Sequence, residues 1–136
     1  MTSAETVESY LIRTELPHEQ VDATTWVVQP AGQQHRIAIK IQDPIVLVST
    51  PVMEISDQTP EREQLFRTLL ELNAELLHAS YGLQQRNVVL SGAQELENLD
   101  LNEFQAVLDD ITMALDNHQN RLGTWKGGDR SSTSEA

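Results

Sequence analysis

Apolar positions recur at helical spacing in three stretches of the chain. In the first, Val7, Tyr10, Leu11 and Thr14 fall at i, i+3, i+4 and i+7, giving a narrow stripe that must pack on something larger. Thr2 and Glu5 have capping-box spacing at its start, and Leu16-Pro17 stops it. The second opens on Thr59-Pro60-Glu61, with threonine in capping position and proline where its missing N–H costs nothing. Leu65, Phe66, Leu69, Leu70, Leu72, Leu76 and Leu77 then form a stripe wide enough to face a sheet and a second partner, and Gly82 is expected to end the helix near Ser80-Tyr81. The third has the clearest start: Asp100 as cap, Glu103 three residues on, and Leu99 placed to staple Phe104. Phe104, Val107, Leu108, Ile111, Leu115 and Leu122 continue it for about twenty residues, with Asp109, Asp110 and Asp116 on the water side.

Between the first two helices the period changes to two. Trp26-Val27-Val28 is a short strand, Ile37, Ile39 and Ile41 alternate with Arg36 and Lys40 in a half-wet strand, and Asp43-Pro44 turns the chain into Ile45 to Ser49. Pro51 lacks a ladder donor and predicts a bulge or an edge. After the second helix, Tyr81–Gln84 and Asn87–Gln94 make a hairpin around Gln85-Arg86, although Ser91-Gly92 interrupts its second run. The expected fold is α+β, an antiparallel sheet of about five strands packed by helices in the order α-β-β-β-α-β-β-α. Residues 1–122 make a single domain, and 123–136 a disordered Gly/Ser-rich tail in which Trp125 is the odd residue, expected to dock back on the domain.

Composition narrows the class. With 136 residues the chain is long enough for one core, and 21 acidic against 9 basic side chains leave a net charge of -12. So acidic a surface does not suit nucleic acid. The absence of cysteine removes thiol, zinc-ribbon and iron–sulfur chemistry and fits a reducing, cytoplasmic setting. The N-terminal residues are acidic where a signal peptide is basic, and no long apolar run suggests a membrane span.

Candidate chemistry is sparse. His18, Glu19 and Asp22 are metal-ligand types, but they follow Pro17 in a polar turn that yields such a trio by chance. Asp109 and Asp110 diverge by about 100° on a helix and cannot share a proton; with His118 they read as a solvated face, where alanine at either aspartate is near neutral. Ser91 lacks the glycine of a nucleophile elbow, and Gly123 to Gly128 precede no helix that would complete a phosphate loop. No enzyme, metal or cofactor is expected.

The central Glu71-Leu72-Asn73-Ala74-Glu75-Leu76 stretch, the Tyr81-Gly82-Leu83 entry to the hairpin, Asn87-Val88-Val89-Leu90 and the 100–118 helix carry a resemblance to the type III secretion chaperone-like fold, and in particular to the YbjN-like family of small acidic bacterial proteins. The resemblance implies a dimeric, non-enzymatic protein that binds other proteins, or a stress or sensory regulator. It does not imply a secretion system. The expected function is a protein-binding adaptor or chaperone-like module, with a small-ligand or signal-sensing domain as the alternative. Leu65, Leu69, Leu76, Val88 and Leu90 are the expected partner-binding or dimer surface, because they exceed what one small core needs. From Ala93 to Asn120 the chain holds no lysine or arginine, so Asp109, Asp110 and Asp116 form a candidate acidic face selecting basic segments. The Trp26–Val28 strand is expected to leave an open edge for an extended client.

Overall fold

The computed structural model describes residues 3–30, 35–123 and 125. In chain order it contains α1 (Ser3–Thr14), β1 (His18–Asp22), β2 (Thr25–Val28), β3 (Ile37–Gln42), β4 (Ile45–Glu54), α2 (Arg62–Asn73), β5 (Ser80–Gln84), β6 (Asn87–Glu95) and α3 (Leu101–Asn117). The Thr2 cap, the turn at 31–34 and the tail from 126 lie outside the described residues.

The six strands form one antiparallel sheet in the order β1-β2-β3-β4-β6-β5. Its alternation is strict where expected: Trp26, Val28, Ile37, Ile39, Val46, Val48 and Thr50 are buried on one face, and their neighbours in sequence are not. Val7 and Leu11 of α1, Leu65, Leu69 and Leu72 of α2, and Phe104, Val107, Leu108 and Ile111 of α3 complete a continuous core with this face. Tyr10 of α1 lies against Phe104 at 5.8 Å between ring centroids and donates a hydrogen bond to the Leu99 carbonyl at 2.8 Å. The Trp26 indole N–H reaches Glu8 Oε2 on α1 at 2.9 Å.

Pro51 sits within β4, and the β4–β6 register shifts between Pro51 and Met53, which is the expected bulge. Gly92 does not interrupt β6. A Cβ there would stand 2.5 Å from the His78 carbonyl oxygen and 2.9 Å from Val107 Cγ1, so glycine lets the chain before β5 and α3 press on the strand.

Four expectations need correction. β1 is an additional strand where a polar turn was expected, and it pairs with β2, so Trp26–Val28 is not an edge. α2 starts at Arg62 after Glu61 with no side-chain cap, because the Thr59 hydroxyl receives the Ser56 N–H at 2.9 Å instead. It ends at Asn73, well before Ser80, and Gly82 lies in β5. α3 stops at Asn117, after which His118 ends the helix and residues 119–123 resume helical structure. That last stretch carries Trp125 onto the domain, where it is 7% exposed and donates from its indole N–H to the Pro60 carbonyl at 3.0 Å. Ordered packing therefore reaches past residue 122.

Candidate protein-binding surface

The expected surface set is largely core. Leu65, Val88 and Leu90 are fully buried, Leu69 is 7% exposed, and Leu76 is half-buried against the same cluster. The chain covers them itself, because α2 lies on β5 and turns its broad leucine stripe inward. The apolar side chains that do face water are others, chiefly Leu70 at 70% exposure, Leu77 at 87%, Leu83 at 55%, and Ile12, Val21 and Met113.

Leu70 and Leu83 meet at one place. α2 and β5 frame an open hollow of about 270 Å³ lined by Phe66, Leu69, Leu70, Tyr81 and Leu83. β5 forms this edge of the sheet, since it pairs with β6 alone among the described strands. Gly82, at its middle, has nothing within 4 Å of where a side chain would begin, leaving the backbone open.

Side chains from two helices hold this edge in place. Asn73, the last residue of α2, behaves as a strand partner: its Oδ1 accepts from the Tyr81 N–H at 2.7 Å and its Nδ2 donates to the Tyr81 carbonyl at 3.2 Å. Asp110 of α3 holds the preceding loop, one carboxylate oxygen accepting the N–H groups of Leu77, His78 and Ala79 at 3.2, 2.7 and 3.1 Å. This corrects the reading of Asp110 as a solvated residue, while Asp109 and Asp116 do lie on the exposed face. His118 is likewise not solvated. It is 6% exposed, its Nδ1 is 2.9 Å from the Tyr81 hydroxyl, and its Nε2 is 3.6 Å from Glu75, which Arg121 meets at 3.2 Å. Burial, with the Glu75 charge adding to it, pushes the Tyr81 phenol well above its usual range. Tyr81 is thus a neutral hydrogen-bonding group at physiological pH.

The other edge is polar. His18, Glu19, Gln20 and Asp22 all carry exposed or half-exposed side chains, and the pairing with β2 is irregular between Gln20 and Asp22. The suspected metal trio is otherwise engaged: His18 contacts the Leu16 carbonyl at 2.9 Å and Glu8 at 3.7 Å, and Glu19 meets Arg36 at 3.7 Å. Asp22 accepts the Thr24 N–H at 2.9 Å, and that bond, before all others, holds its carboxyl below the usual value. Among the described residues no group of three such side chains converges on a metal position, and no helix is long and apolar enough to cross a membrane.

Set beside known proteins, the CesT_Tir_1 family, a family of type III secretion chaperones, matches residues 1–126. The chain belongs to this family. No curated protein matches the sequence significantly. Among solved structures, YbjN from E. coli is 14% identical over 86% of this chain and 91% of its own, with a TM-score of 0.62. The ExsC–ExsE complex contains a chain 16% identical over 88% of this one and 96% of that one, with a TM-score of 0.61. A chain of the HopA1–SchA chaperone–effector complex is 14% identical, covering 82% and 88%, with a TM-score of 0.58. At such identities the likeness is one of fold, and it confirms the α+β chaperone-like architecture implied by the earlier resemblance. Family membership supports a protein-binding, chaperone-like role.

Proposed function

We propose that this chain is a non-catalytic cytoplasmic adaptor that works as a homodimer and binds a segment of a client protein, the two copies meeting across α2 and β5. The observation that carries the dimer is the exposed apolar pair Leu70 and Leu83 around the hollow between α2 and β5. Charge favours a second copy as the occupant. A chain of net charge -12 repels its own kind over most of its surface, yet this face carries Arg62, Arg67 and Arg86 beside Glu63 and Glu71. It is the part of the surface where both signs are present and like copies can approach. The client is supported by the family and by the chaperone–effector neighbour. The core is filled, and the hollow between α2 and β5 lies at the surface between exposed leucines, which suits a macromolecular partner better than an enclosed metabolite.

Light scattering at tens of micromolar is expected to give twice the chain mass of 15.3 kDa, and a Leu70→Glu, Leu83→Lys variant the mass of one chain with its circular dichroism unchanged. A wild-type protein of single-chain mass overturns the dimer.

A further inference from the structure

β5 stops before β6 does. Ser80 pairs with Ser91, but β6 continues to Glu95, still paired with β4 through Gly92↔Val48, Ala93↔Leu47, Gln94↔Val46 and Glu95↔Ile45. Residues 92–95 therefore form a short free edge within an otherwise paired sheet. In an antiparallel ladder, alternate residues of that stretch turn N–H and C=O away from β4, where no described strand receives them. The line of β5 is left empty because Asp110 holds Leu77, His78 and Ala79 aside.

The gap is a groove of about 710 Å³ lined by Leu77, His78, Gln94, Glu95, Glu97 and Glu103 among others. Three of these are carboxylates with their side chains in water, and no lysine or arginine lines the groove. Gln94 Oε1 is buried there without a hydrogen-bond partner, an acceptor with no donor. Leu77, at 87% exposure, stands at the rim on backbone fixed by three hydrogen bonds to Asp110. The groove thus combines an unpaired strand edge, an apolar contact held in position, and charge of one sign.

We propose that this gap docks an extended, basic segment of a partner protein, which adds as a short strand beside Ala93–Glu95 in the empty line of β5. Its lysine or arginine side chains meet Glu95, Glu97 and Glu103, and main-chain bonds to β6 supply the affinity. The inference rests on the protein-binding reading above and names the chemistry of the segment. A second copy of this chain does not suit the groove, since an overall acidic partner meets three carboxylates there.

The test uses a ten-residue peptide of alternating lysine and threonine, with a glutamate–threonine peptide as control. The lysine peptide is expected to bring new amide-exchange protection to Ala93–Glu95, and the control none. A Glu95→Lys, Glu97→Lys variant changes only exposed side chains and is expected to bind about tenfold more weakly at about 0.05 M salt, the gap closing at about 0.5 M. Protection on β1 or β5 instead, or equal binding by the variant, overturns this site and leaves the adaptor reading standing. Protection at Ala93–Glu95 before any peptide is added overturns it as well, by placing residues of this chain in the gap. Failure of the lysine peptide to bind overturns the site, whereas the dimer measurement judges the adaptor independently.

Discussion

At one edge of the sheet β1 carries His18, Glu19, Gln20, Val21 and Asp22, and at the other β5 carries Ser80, Tyr81, Gly82, Leu83 and Gln84. β1 is held by its ladder to β2 and a few local contacts, and its side chains stay in water. β5 is held by side chains reaching from two helices, Asn73 from α2 and Asp110 from α3, with His118 beyond the end of α3 against Tyr81. An edge that only completes a sheet can be polar, and its irregular pairing and charges make it a poor template for another chain. An edge fastened from behind can leave Leu70 and Leu83 turned outward and still keep its shape. The difference assigns association to the β5 side and closure to the β1 side.

The sharpest way to break this comparison is to place the same charge at both edges. Leu69→Asp puts an unpaired carboxylate under β5, where the residue is 7% exposed, and is expected to cost several kcal/mol, enough to unfold a domain of ordinary stability. Val21→Asp, on β1 at 51% exposure, is expected to stay within about 0.5 kcal/mol of the parent. Urea titration followed by circular dichroism measures both. A cooperative, stable Leu69→Asp protein would mean that α2 does not bury this face.

The second contrast lies within α3. Asp109 and Asp110 are neighbours in sequence, but only Asp110 accepts the three N–H groups that set the loop before β5. Asp110→Ala is expected to lose about 2 kcal/mol, since the bonds are to a charged acceptor and Ala79 is nearly buried. Asp109→Ala is expected to be within about 0.5 kcal/mol. Equal urea midpoints for the two variants would show that the loop holds its shape without the carboxylate.

These residues also show what the sequence does and does not make legible. The alternation of Ile37 and Ile39 and the Asp100 cap are local patterns, and both appear in the structure, Asp100 accepting the Glu103 N–H at 3.2 Å. β1 has no such pattern because neither of its faces is buried, so nothing in its side chains marks the strand that the β2 backbone imposes. The end of α2 is hidden for the opposite reason: Leu76 and Leu77 prolong an apolar stripe, while the groups that redirect the chain are Asn73, bonded to Tyr81, and Asp110, more than thirty residues on. For the same reason Leu65, Val88 and Leu90 read as surplus in the sequence. Their burial depends on how α2 and β6 meet, which spacing does not encode.

The last contrast is in pH, because the two edges are held by groups that titrate in opposite directions. Asp22 steadies the β1–β2 turn as a carboxylate, and the Thr24 N–H holds its value below the ordinary 3.8. The unfolded chain takes up that proton first as pH falls, so this contribution is present above pH 3.8 and is lost as pH drops through the lowered folded value. Tyr81 steadies β5 as a neutral phenol beside His118 Nδ1, and burial raises its value above the ordinary 10.0. Here the unfolded chain gives up its proton first as pH rises, so the contribution is complete below pH 10.0 and declines above it. Tyr81→Phe is therefore expected to cost about 1 kcal/mol near neutrality, through the lost hydrogen bond, and to flatten the alkaline limb of the stability profile. Asp22→Asn is expected to flatten the acid limb by a smaller amount, since an exposed turn is screened by water. Urea midpoints at about pH 3, 7 and 11 separate the two. Profiles that run parallel to the parent at both extremes would mean that neither edge depends on the protonation state of the group that fastens it, and the distinction between an edge held from behind and an edge held by its own turn would then rest on packing alone.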